Sequence, residues 1–490
     1  MPFKNGRQYI ERIDRQRINL WYRGERVSGP LSEHPAFRGL IRTQADLYDL
    51  QGDEEYLDRM TYLSPLTGER VGLSYLPPVN ADDLVRRRQV TEIWSGRHHG
   101  FLGRSPDYMN TALMSFYTAA SALEQNTPEY ARNLRNYYAY CRENDITLSH
   151  AFVQPLASKW SEPADTEESI TAKVIETNEK GIVVSGAFIM ATQGPTCEEI
   201  MVFPSPAFSL SEAGNPTAFA FAVPNDLDGI TFICRESYAR DSAYDHPLSS
   251  RFEEMDTLVV LDRVLVPHDR VFFYGDEGMF DRLFREGNFH AYAGHQILSR
   301  YIAKTEFLLG LMLSLAEEQN SATELTAKSL IARVMMMLEN LRALRLTSET
   351  TGYMTPNGYY VPGSSPLIAA NLQFPDYYDE MIHTIQKLSA SNLIMNPFEA
   401  DLSSPPKKYL EVYLKGISSS AKERIALFRL AWELGAGPFG GRQSQFERFF
   451  FGNANTTANR MYQSCQNQED YKALVHQLIG KDLSQESGST

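Results

Sequence analysis

The chain contains 490 residues, of which 43% are hydrophobic and 22% are charged, as is usual for folded globular proteins. This length is sufficient for more than one domain. Lys and Arg total 47 against 61 Asp and Glu, which gives a formal net charge of -14. Because this charge repels a phosphate backbone, the composition argues against nucleic acid as a partner.

The N-terminal segment and the apolar stretches bear on the location of the protein. Residues 1–17 read MPFKNGRQYIERIDRQR and are charged from the start, and the longest strongly apolar stretch, Phe307 to Ala316, has only ten residues. A signal peptide needs an apolar core, and a membrane-spanning helix needs about 20 apolar residues. We therefore expect a cytoplasmic protein that does not bind a membrane.

The cysteines give no indication of a metal site. Four of them are scattered along the chain without CxxC spacing, namely Cys141, Cys197, Cys234 and Cys465. Closely spaced cysteine pairs are the usual signature of zinc and iron–sulfur sites. We expect neither a disulfide framework nor a bound metal.

The predicted elements fall into three consecutive regions. Residues 1–147 show helical periodicity between turn signals, for example from Tyr108 to Ala120. Residues 148–274 contain short β-rich runs such as GIVVSGAFIMAT and DTLVVLDRVLVPHDRVFF, divided by Gly, Pro, Asn and Asp. Residues 275–490 return to helical periodicity, clearest in YIAKTEFLLGLMLSLAEEQ. We therefore predict an α+β fold with an N-terminal helical domain, a middle β domain and a C-terminal helical bundle domain.

The segment Arg104-Ser105-Pro106-Asp107-Tyr108 combines residues that suit a ligand site. Pro106 disfavours helical geometry at Ser105 and suits the first turn of a helix, so a helix should begin after an N-cap at Ser105. Arg104 and Tyr108 would then bring a cation and a phenol close to the free N–H groups of the helix start, where an anionic or phenolic ligand can bind. In the alternative interpretation, Arg104 merely pairs with Asp107 while Ser105 caps the helix.

His150 ends the run TLSH at the junction of the first two regions. Imidazole exchanges protons near neutral pH, and a positioned one contributes roughly 10² to 10⁴ in rate as an acid or base. The alternative is a histidine that serves only as a structural hydrogen-bond donor.

Two predicted strands end in polar loops, Ala191-Thr192-Gln193-Gly194-Pro195 and Pro204-Ser205-Pro206. Loops at strand ends often line ligand sites, and these hydroxyls and backbone groups suit the polar edge of a ring. The same residue types are, however, common in ordinary turns.

A glycine-rich run from Gly435 to Arg442 precedes the sequence FERFFFGNANTTANRM. Glycines permit close approach of a backbone to a phosphate or a ring, and Arg442, Arg448 or Arg460 could balance negative charge. Because the run has neither Walker nor GxGxxG spacing, it does not predict a standard nucleotide loop. The alternative is a loop that only ends a helix.

Together and in this order, these motifs resemble the oxygenase components of the 4-hydroxyphenylacetate 3-monooxygenase family. The likeness runs through nearly the whole chain, from NGRQYIERI and HPAFRG through GRSPDY, TLSHAFVQP, GIVVSGAFIMAT, VPHDRVF and GHQILSR to RFFFGNA. It implies an acyl-CoA-dehydrogenase-like fold, a homotetramer, and reduced FAD that diffuses from a separate flavin reductase. The implied reaction uses O2 and a flavin C4a-hydroperoxide to hydroxylate a phenol ortho to its hydroxyl, as in the conversion of 4-hydroxyphenylacetate to 3,4-dihydroxyphenylacetate.

The resemblance also implies roles for individual residues. Catalysis would rest on Arg104, Tyr108 and His150. The substrate would contact Arg104, Ser105, Pro106, Asp107, Tyr108, His150, Ser205 and Pro206. The flavin would contact His150, Leu156, Ala157, Ser158, Lys159, Thr192, Gly452, Asn453, Ala454 and Asn455. The chain departs from the family pattern where Pro206 replaces a more usual Thr and where GNAN replaces a GDP-like stretch.

Several alternatives stay open at this point. The substrate could instead be phenol, a chlorophenol, 4-hydroxycinnamate or a tyrosine derivative. An acyl-CoA dehydrogenase would need a catalytic glutamate, for which Glu306 and Glu433 are candidates, although the RSPDY segment argues against this activity. A 4-hydroxybutyryl-CoA dehydratase needs cysteines for its cluster, and GRHHGFLG and GHQILSR contain none. A helical scaffold without a site would explain only the C-terminal half.

Overall fold

The computed structural model describes residues 3–125, 127–155, 170–204 and 215–479. Its first part is mainly helical, as predicted. Asn80 starts the fourth helix by accepting a hydrogen bond from the backbone N–H of Asp83, a common N-cap arrangement. The helices of this part are α1 (Gly6–Arg15), α2 (Arg38–Asp49), α3 (Leu57–Met60), α4 (Ala81–His98), α5 (Pro106–Thr118) and α6 (Pro128–Asn144).

Strands dominate the middle part, where two sheets pack face to face. A six-stranded sheet has the order β2-β1-β10-β11-β7-β6, and a four-stranded sheet has the order β12-β9-β8-β5. Val184, Phe188 and Val259 from the first sheet share one apolar core with Ile200 and Phe219 from the second. The strands are β1 (Asn19–Tyr22), β2 (Glu25–Arg26), β3 (Thr61–Leu63), β4 (Arg70–Gly72), β5 (Leu148–Ala151), β6 (Lys173–Asn178), β7 (Gly181–Thr192), β8 (Glu199–Val202), β9 (Asn215–Pro224), β10 (Ile230–Cys234), β11 (Asp256–Pro267) and β12 (Val271–Gly275).

The six-stranded sheet includes strands from the beginning of the chain. β1 runs parallel to β10, with Leu20 opposite Phe232, and β2 pairs with β1 at the sheet edge. The sheet therefore extends across the predicted domain boundary at residue 147.

Long helices return in the last part and pack against α5. Among them α9 contacts α4 and α5 on one side and the two long helices that follow it on the other. Leu113 and Phe116 of α5 share a core with Leu298, Leu308 and Phe374. The remaining elements are α7 (Ser249–Phe252), α8 (Glu277–Glu286), α9 (Phe289–Glu318), α10 (Leu325–Thr350), β13 (Tyr353–Met354), β14 (Tyr360–Val361), α11 (Ser364–Ser389), α12 (Lys407–Tyr413), α13 (Ala421–Gly435), α14 (Pro438–Phe449), α15 (Ala454–Ser464) and α16 (Gln468–Leu478).

The position of α5 follows from this packing. Its first turn lies where the helical first part, the β part and the last helical part meet, because α5 contacts α6, β5 and α9. None of the helices in the described ranges is both long enough and apolar enough to span a membrane.

Candidate active site

Helix α5 begins directly after Ser105, as the sequence predicts. The buried carboxylate of Asp107 accepts hydrogen bonds from the hydroxyls of Ser105 and Thr91, at 2.5 and 2.8 Å. It also accepts a hydrogen bond from the side-chain amide of Gln296 at 3.0 Å. Asp107 is therefore surrounded by neutral donors and does not pair with Arg104. Of the two interpretations of this segment, the structure favours the one that leaves Arg104 available to a ligand.

A buried carboxylate fixes the backbone at the start of the segment. Glu254 accepts hydrogen bonds from the backbone N–H groups of Gly103 and Arg104, at 3.0 and 2.8 Å. It also accepts one from the side chain of Gln193 at 2.9 Å and lies 3.4 Å from a guanidinium nitrogen of Arg442. Because a buried carboxylate is costly unless donors surround it, this arrangement holds the Arg104 backbone in one position. No motif in the sequence identified Glu254.

The side chain of Arg104 lies between aromatic rings. Its Cζ atom is 4.6 Å from the ring centroid of Tyr108 and 4.8 Å from that of Phe450. Its Nη2 atom lies 3.4 Å from Nε2 of His150, while its buried Nε has no hydrogen-bond partner among the described residues. Burial lowers the pKa of Arg104. A desolvated guanidinium with an unused donor is well suited to bind an oxygen anion.

His150 provides a neutral base beside this cation. Its Nδ1 atom lies 3.1 Å from the sulfur of Met109, a weak acceptor, while Nε2 faces the guanidinium of Arg104. These partners favour a proton on Nδ1 and leave a lone pair on Nε2. Burial holds the pKa of His150 well below its ordinary value, and the charge of Arg104 lowers it further. The imidazole is therefore uncharged at neutral pH, and its Nε2 lone pair can accept a hydrogen bond.

Tyr108, Met109 and His150 form one wall of a cavity of about 160 Å³. Burial raises the pKa of Tyr108, so its hydroxyl stays protonated and can donate a hydrogen bond. The rest of the lining is mostly aromatic and consists of Ala112, Phe116, Phe152, Phe203, Phe280, Phe284, Phe289, His290, Phe450, Phe451, Gly452 and Arg460. Such a lining fits a flat ring and excludes water. The sequence did not identify these phenylalanines, because they come from five separate segments.

Comparison with known proteins assigns the chain to a family. Models of the N-terminal and C-terminal parts of 4-hydroxyphenylacetate 3-hydroxylase match residues 5–273 and 280–480. The chain belongs to the 4-hydroxyphenylacetate 3-hydroxylase family. Among its relatives, a probable 4-hydroxyphenylacetate 3-monooxygenase of Bacillus subtilis is 38% identical over 476 residues, which are 97% of this chain and 98% of the relative.

Solved structures agree with this assignment to the 4-hydroxyphenylacetate 3-hydroxylase family. The oxygenase component of 4-hydroxyphenylacetate 3-monooxygenase, complexed with FAD and 4-hydroxyphenylacetate, is 37% identical with a TM-score of 0.91, covering 98% of this chain and 99% of that one. An archaeal 4-hydroxybutyryl-CoA dehydratase from N. maritimus shares only the fold, at 20% identity and a TM-score of 0.87, covering 100% of this chain and 97% of that one. The predicted α+β fold of the acyl-CoA-dehydrogenase type is confirmed.

The stretch Gly452–Asn455 begins at the cavity wall, to which Gly452 belongs. Gly452 lines the cavity with a φ of +106°, a backbone conformation that favours glycine, and so allows the turn between α14 and α15. The side chain of Asn453 caps α15 by accepting a hydrogen bond from the N–H of Thr456 at 2.9 Å. The Asn453 side chain is therefore already hydrogen-bonded within its own helix. The next two residues, Ala454 and Asn455, are exposed, so their backbone N–H groups at the helix start are accessible to a ligand.

Thr192, another predicted flavin contact, faces a cluster of charges formed by Asp256, Arg442 and Arg235. Its hydroxyl donates to Asp256 at 2.7 Å, and Asp256 also accepts from Arg442 and Arg235 at 2.8 and 2.9 Å. The two arginines hold the pKa of Asp256 well below its ordinary value, although burial opposes this. The other predicted contacts lie outside the described residues, namely Leu156, Ala157, Ser158, Lys159, Ser205 and Pro206.

The three arginines near the C-terminus differ in their partners. Arg442 pairs with Asp256, and Arg448 pairs with Asp379 at 2.7 Å on the surface. Arg460 lines the cavity, and in the part of the chain that the structure describes no carboxylate pairs with it.

The glutamates considered for an acyl-CoA dehydrogenase lie elsewhere. Buried Glu433 accepts hydrogen bonds from the N–H of Leu248 at 2.6 Å and the hydroxyl of Ser249 at 2.5 Å, and so holds the start of α7. Glu306 pairs with Arg342 on the surface at 2.7 Å. Neither is among the residues that line the cavity.

Proposed function

We propose that this chain is the oxygenase component of a two-component monooxygenase, which uses reduced FAD and O2 to hydroxylate a phenol ortho to its hydroxyl. The first candidate substrate is 4-hydroxyphenylacetate, with 3,4-dihydroxyphenylacetate as the product. The observation that carries the proposal is that Tyr108 and His150 line one aromatic cavity of about 160 Å³ while Arg104 contacts both of these side chains. An apolar cavity of about 150 Å³ is known to hold benzene, so the size suits one aromatic ring.

Arg104 and His150 would activate the phenol by changing its protonation. Nε2 of His150 would accept the phenol proton in place of its contact with Arg104, and the charges of the resulting phenolate and of the protonated imidazole would stabilise each other beside the guanidinium. A phenolate has higher electron density at its ortho carbons than a phenol. The ring carbon next to the hydroxyl is then the atom that attacks an electrophilic oxygen.

Tyr108 and the phenylalanines would position the ring and keep it dry. The protonated hydroxyl of Tyr108 can donate a hydrogen bond to the phenol oxygen, while Phe450 and Phe451 pack around the ring. Excluding water strengthens the electrostatic effect of Arg104 and suppresses the wasteful release of peroxide.

The residues at the cavity rim fit FAD. Exposed backbone N–H groups at the start of α15 suit the acceptor-rich edge of the flavin ring, and the glycine at position 452 leaves its backbone accessible. Gly452, Asn453, Ala454 and Asn455 would hold the flavin here, together with His150, Thr192 and residues 156–159 as the family resemblance implies. Bound there in its reduced form, FAD would supply the two electrons that activate O2, of which one atom would enter the phenol and the other would leave as water.

The partners follow from this reaction. A separate flavin reductase would deliver reduced FAD by diffusion, and both proteins would share the cytoplasm because reduced flavin is soon lost to O2. We also propose a homotetramer. Large apolar side chains such as Tyr413, Leu474 and Leu478 are exposed on the C-terminal helices, as expected of surfaces that bury one another in an oligomer.

A turnover assay tests the proposal. The purified protein is given FAD, NADH, a flavin reductase and ¹⁸O2, with 4-hydroxyphenylacetate, phenol, a chlorophenol, 4-hydroxycinnamate or a tyrosine derivative. We expect a catechol that carries one ¹⁸O atom, and none when the oxygenase is omitted. If no phenol yields a catechol while reduced flavin is present, the proposed function is wrong.

A further inference from the structure

Arg460 on α15 belongs to the lining of two neighbouring cavities. It lines both the cavity of about 160 Å³ and a cavity of about 590 Å³. His290 and Phe451 also line both. Arg460 therefore lies at the boundary between the aromatic cavity and the larger one.

The guanidinium of Arg460 is partly buried, and no carboxylate among the described residues pairs with it. Several other arginines, by contrast, have carboxylate partners, such as Arg300 with Glu447 at 2.7 Å and Arg235 with Glu253 at 2.7 Å. For Arg460 burial alone acts on the pKa and lowers it, and no carboxylate raises it. Removing a cation from water without a partner costs free energy, which an anionic ligand would offset.

Arg460 and His150 belong to the lining of the same cavity but have different charged neighbours. The charge of Arg104 lowers the pKa of His150, whereas the pKa of His290 is lowered to about 3 by burial and, to a smaller extent, by the charge of Arg460. His290 is therefore neutral and does not compete with Arg460 for an anion. The rest of the lining is mostly phenylalanine. A ligand that matches this arrangement combines a hydroxyl group near His150, an aromatic ring and an anionic group near Arg460.

We propose that Arg460 is a specificity-determining residue that binds an anionic group, such as a carboxylate, on the ring substituent remote from the phenol hydroxyl. This inference rests on the proposed phenol hydroxylation. An oxygen anion at this position could also belong to the phosphates of FAD, so the test must separate the two sources.

Two substrates that differ only in charge provide the test. Wild type, Arg460→Gln and Arg460→Lys are compared on 4-hydroxyphenylacetate and on its neutral amide, 4-hydroxyphenylacetamide. We expect Arg460→Gln to lower kcat/KM for the acid about tenfold to hundredfold, the usual effect of losing a charged hydrogen bond, and to change the amide little. Arg460→Lys should recover much of the preference for the acid. Arg448→Gln, which removes an arginine already paired on the surface, is the matched control.

Equilibrium binding separates the possible outcomes. Acid, amide and FAD are each titrated into the three proteins, so the result does not depend on turnover. If Arg460→Gln weakens the binding of acid and amide equally and also weakens the binding of FAD, Arg460 binds the flavin and the inference is wrong. An unchanged preference for the acid in Arg460→Gln would also overturn it. If Arg460→Gln weakens binding of the acid but the wild type forms no catechol, the proposed hydroxylation is wrong, whereas the anion site at Arg460 is supported.

Discussion

Arg104 is available to a ligand because Asp107, the nearest carboxylate in the sequence, is already hydrogen-bonded to other side chains. Asp107 accepts three hydrogen bonds from neutral donors. Glu254 accepts a hydrogen bond from the backbone N–H of Arg104 but none from its guanidinium. No carboxylate among the described residues therefore pairs with the guanidinium, which contacts His150 in the cavity wall. A cation beside a neutral base is an arrangement that withdraws a proton from a phenol and stabilises the product.

Replacing His150 tests the role of this base. His150→Ala should lower the rate of catechol formation by roughly 10² to 10⁴, because the proton acceptor is lost. Reduced FAD should then be oxidised with peroxide as the main product. The measurement is the yield of catechol and of peroxide per reduced FAD consumed.

The control is His383→Ala, which changes an exposed histidine on α11. An unchanged catechol yield in His150→Ala would show that the imidazole is not the base. Because the folded pKa of His150 lies well below 6.5, its protonation should not limit the wild-type rate at neutral pH. Loss of activity through this residue is expected only as the pH falls below the ordinary histidine range.

The sequence predicted the local backbone of the candidate site better than the partners of its side chains. Pro106 correctly predicted the start of α5, because its ring restricts Ser105 whatever the tertiary structure. The sequence could not predict that Arg442 and Arg448 have carboxylate partners while none of the described carboxylates pairs with Arg460. The partners of the first two, Asp256 and Asp379, are distant from them in the sequence. The role of Glu254 was not predicted either, because it is 150 residues away from Arg104 in the sequence.

Helices α9 and α14 are joined by a buried group of charges. Glu447 on α14 accepts two hydrogen bonds from Arg300 at 2.7 and 2.9 Å and one from Lys304 at 2.5 Å. Burial lowers the pKa of Lys304 to about 8, while the two cations hold that of Glu447 below its ordinary value. Arg300 also lies 5.4 Å from the ring centroid of Phe450, the ring that contacts Arg104. This pair of helices therefore supports one side of the cavity.

Removing the carboxylate should destabilise the whole protein. Glu447→Gln leaves two buried cations without an anion, and we expect a loss of about 3 to 5 kcal/mol in the free energy of unfolding. Urea denaturation followed by circular dichroism measures it. Asp379→Asn, which breaks the exposed pair with Arg448 beside it, should cost less than about 1 kcal/mol. Similar losses in both variants would contradict the role given to the buried group.

Element positions were more predictable than their assembly. The run GIVVSGAFIMAT is β7 from its first residue to its last, and the helix predicted from Tyr108 to Ala120 is α5 shifted by two residues. Local periodicity defines such segments. It carries no information on which strands pair, so the addition of β1 to the sheet of β10 was not foreseen.

At the scale of the whole molecule, α16 carries an apolar stripe that nothing in the described part of the chain covers. Tyr471, Leu474, Val475 and Leu478 follow helical spacing, and Leu478 is 87% exposed. If four copies associate through this stripe, Leu474→Glu with Leu478→Glu should yield smaller particles in light scattering after size-exclusion chromatography. Gln477→Glu on the same helix is the control. A double variant with the mass of four 55.5 kDa chains would exclude α16 from the interface.

During synthesis, β1 leaves the ribosome long before β10, its parallel neighbour in the six-stranded sheet, is made. Leu20 pairs with Phe232, and β11, which covers the other side of β10, ends only at Pro267. Until then the strand has an open edge that can pair wrongly or bind a chaperone. The part of the chain that is made first is thus among the last to reach its native position.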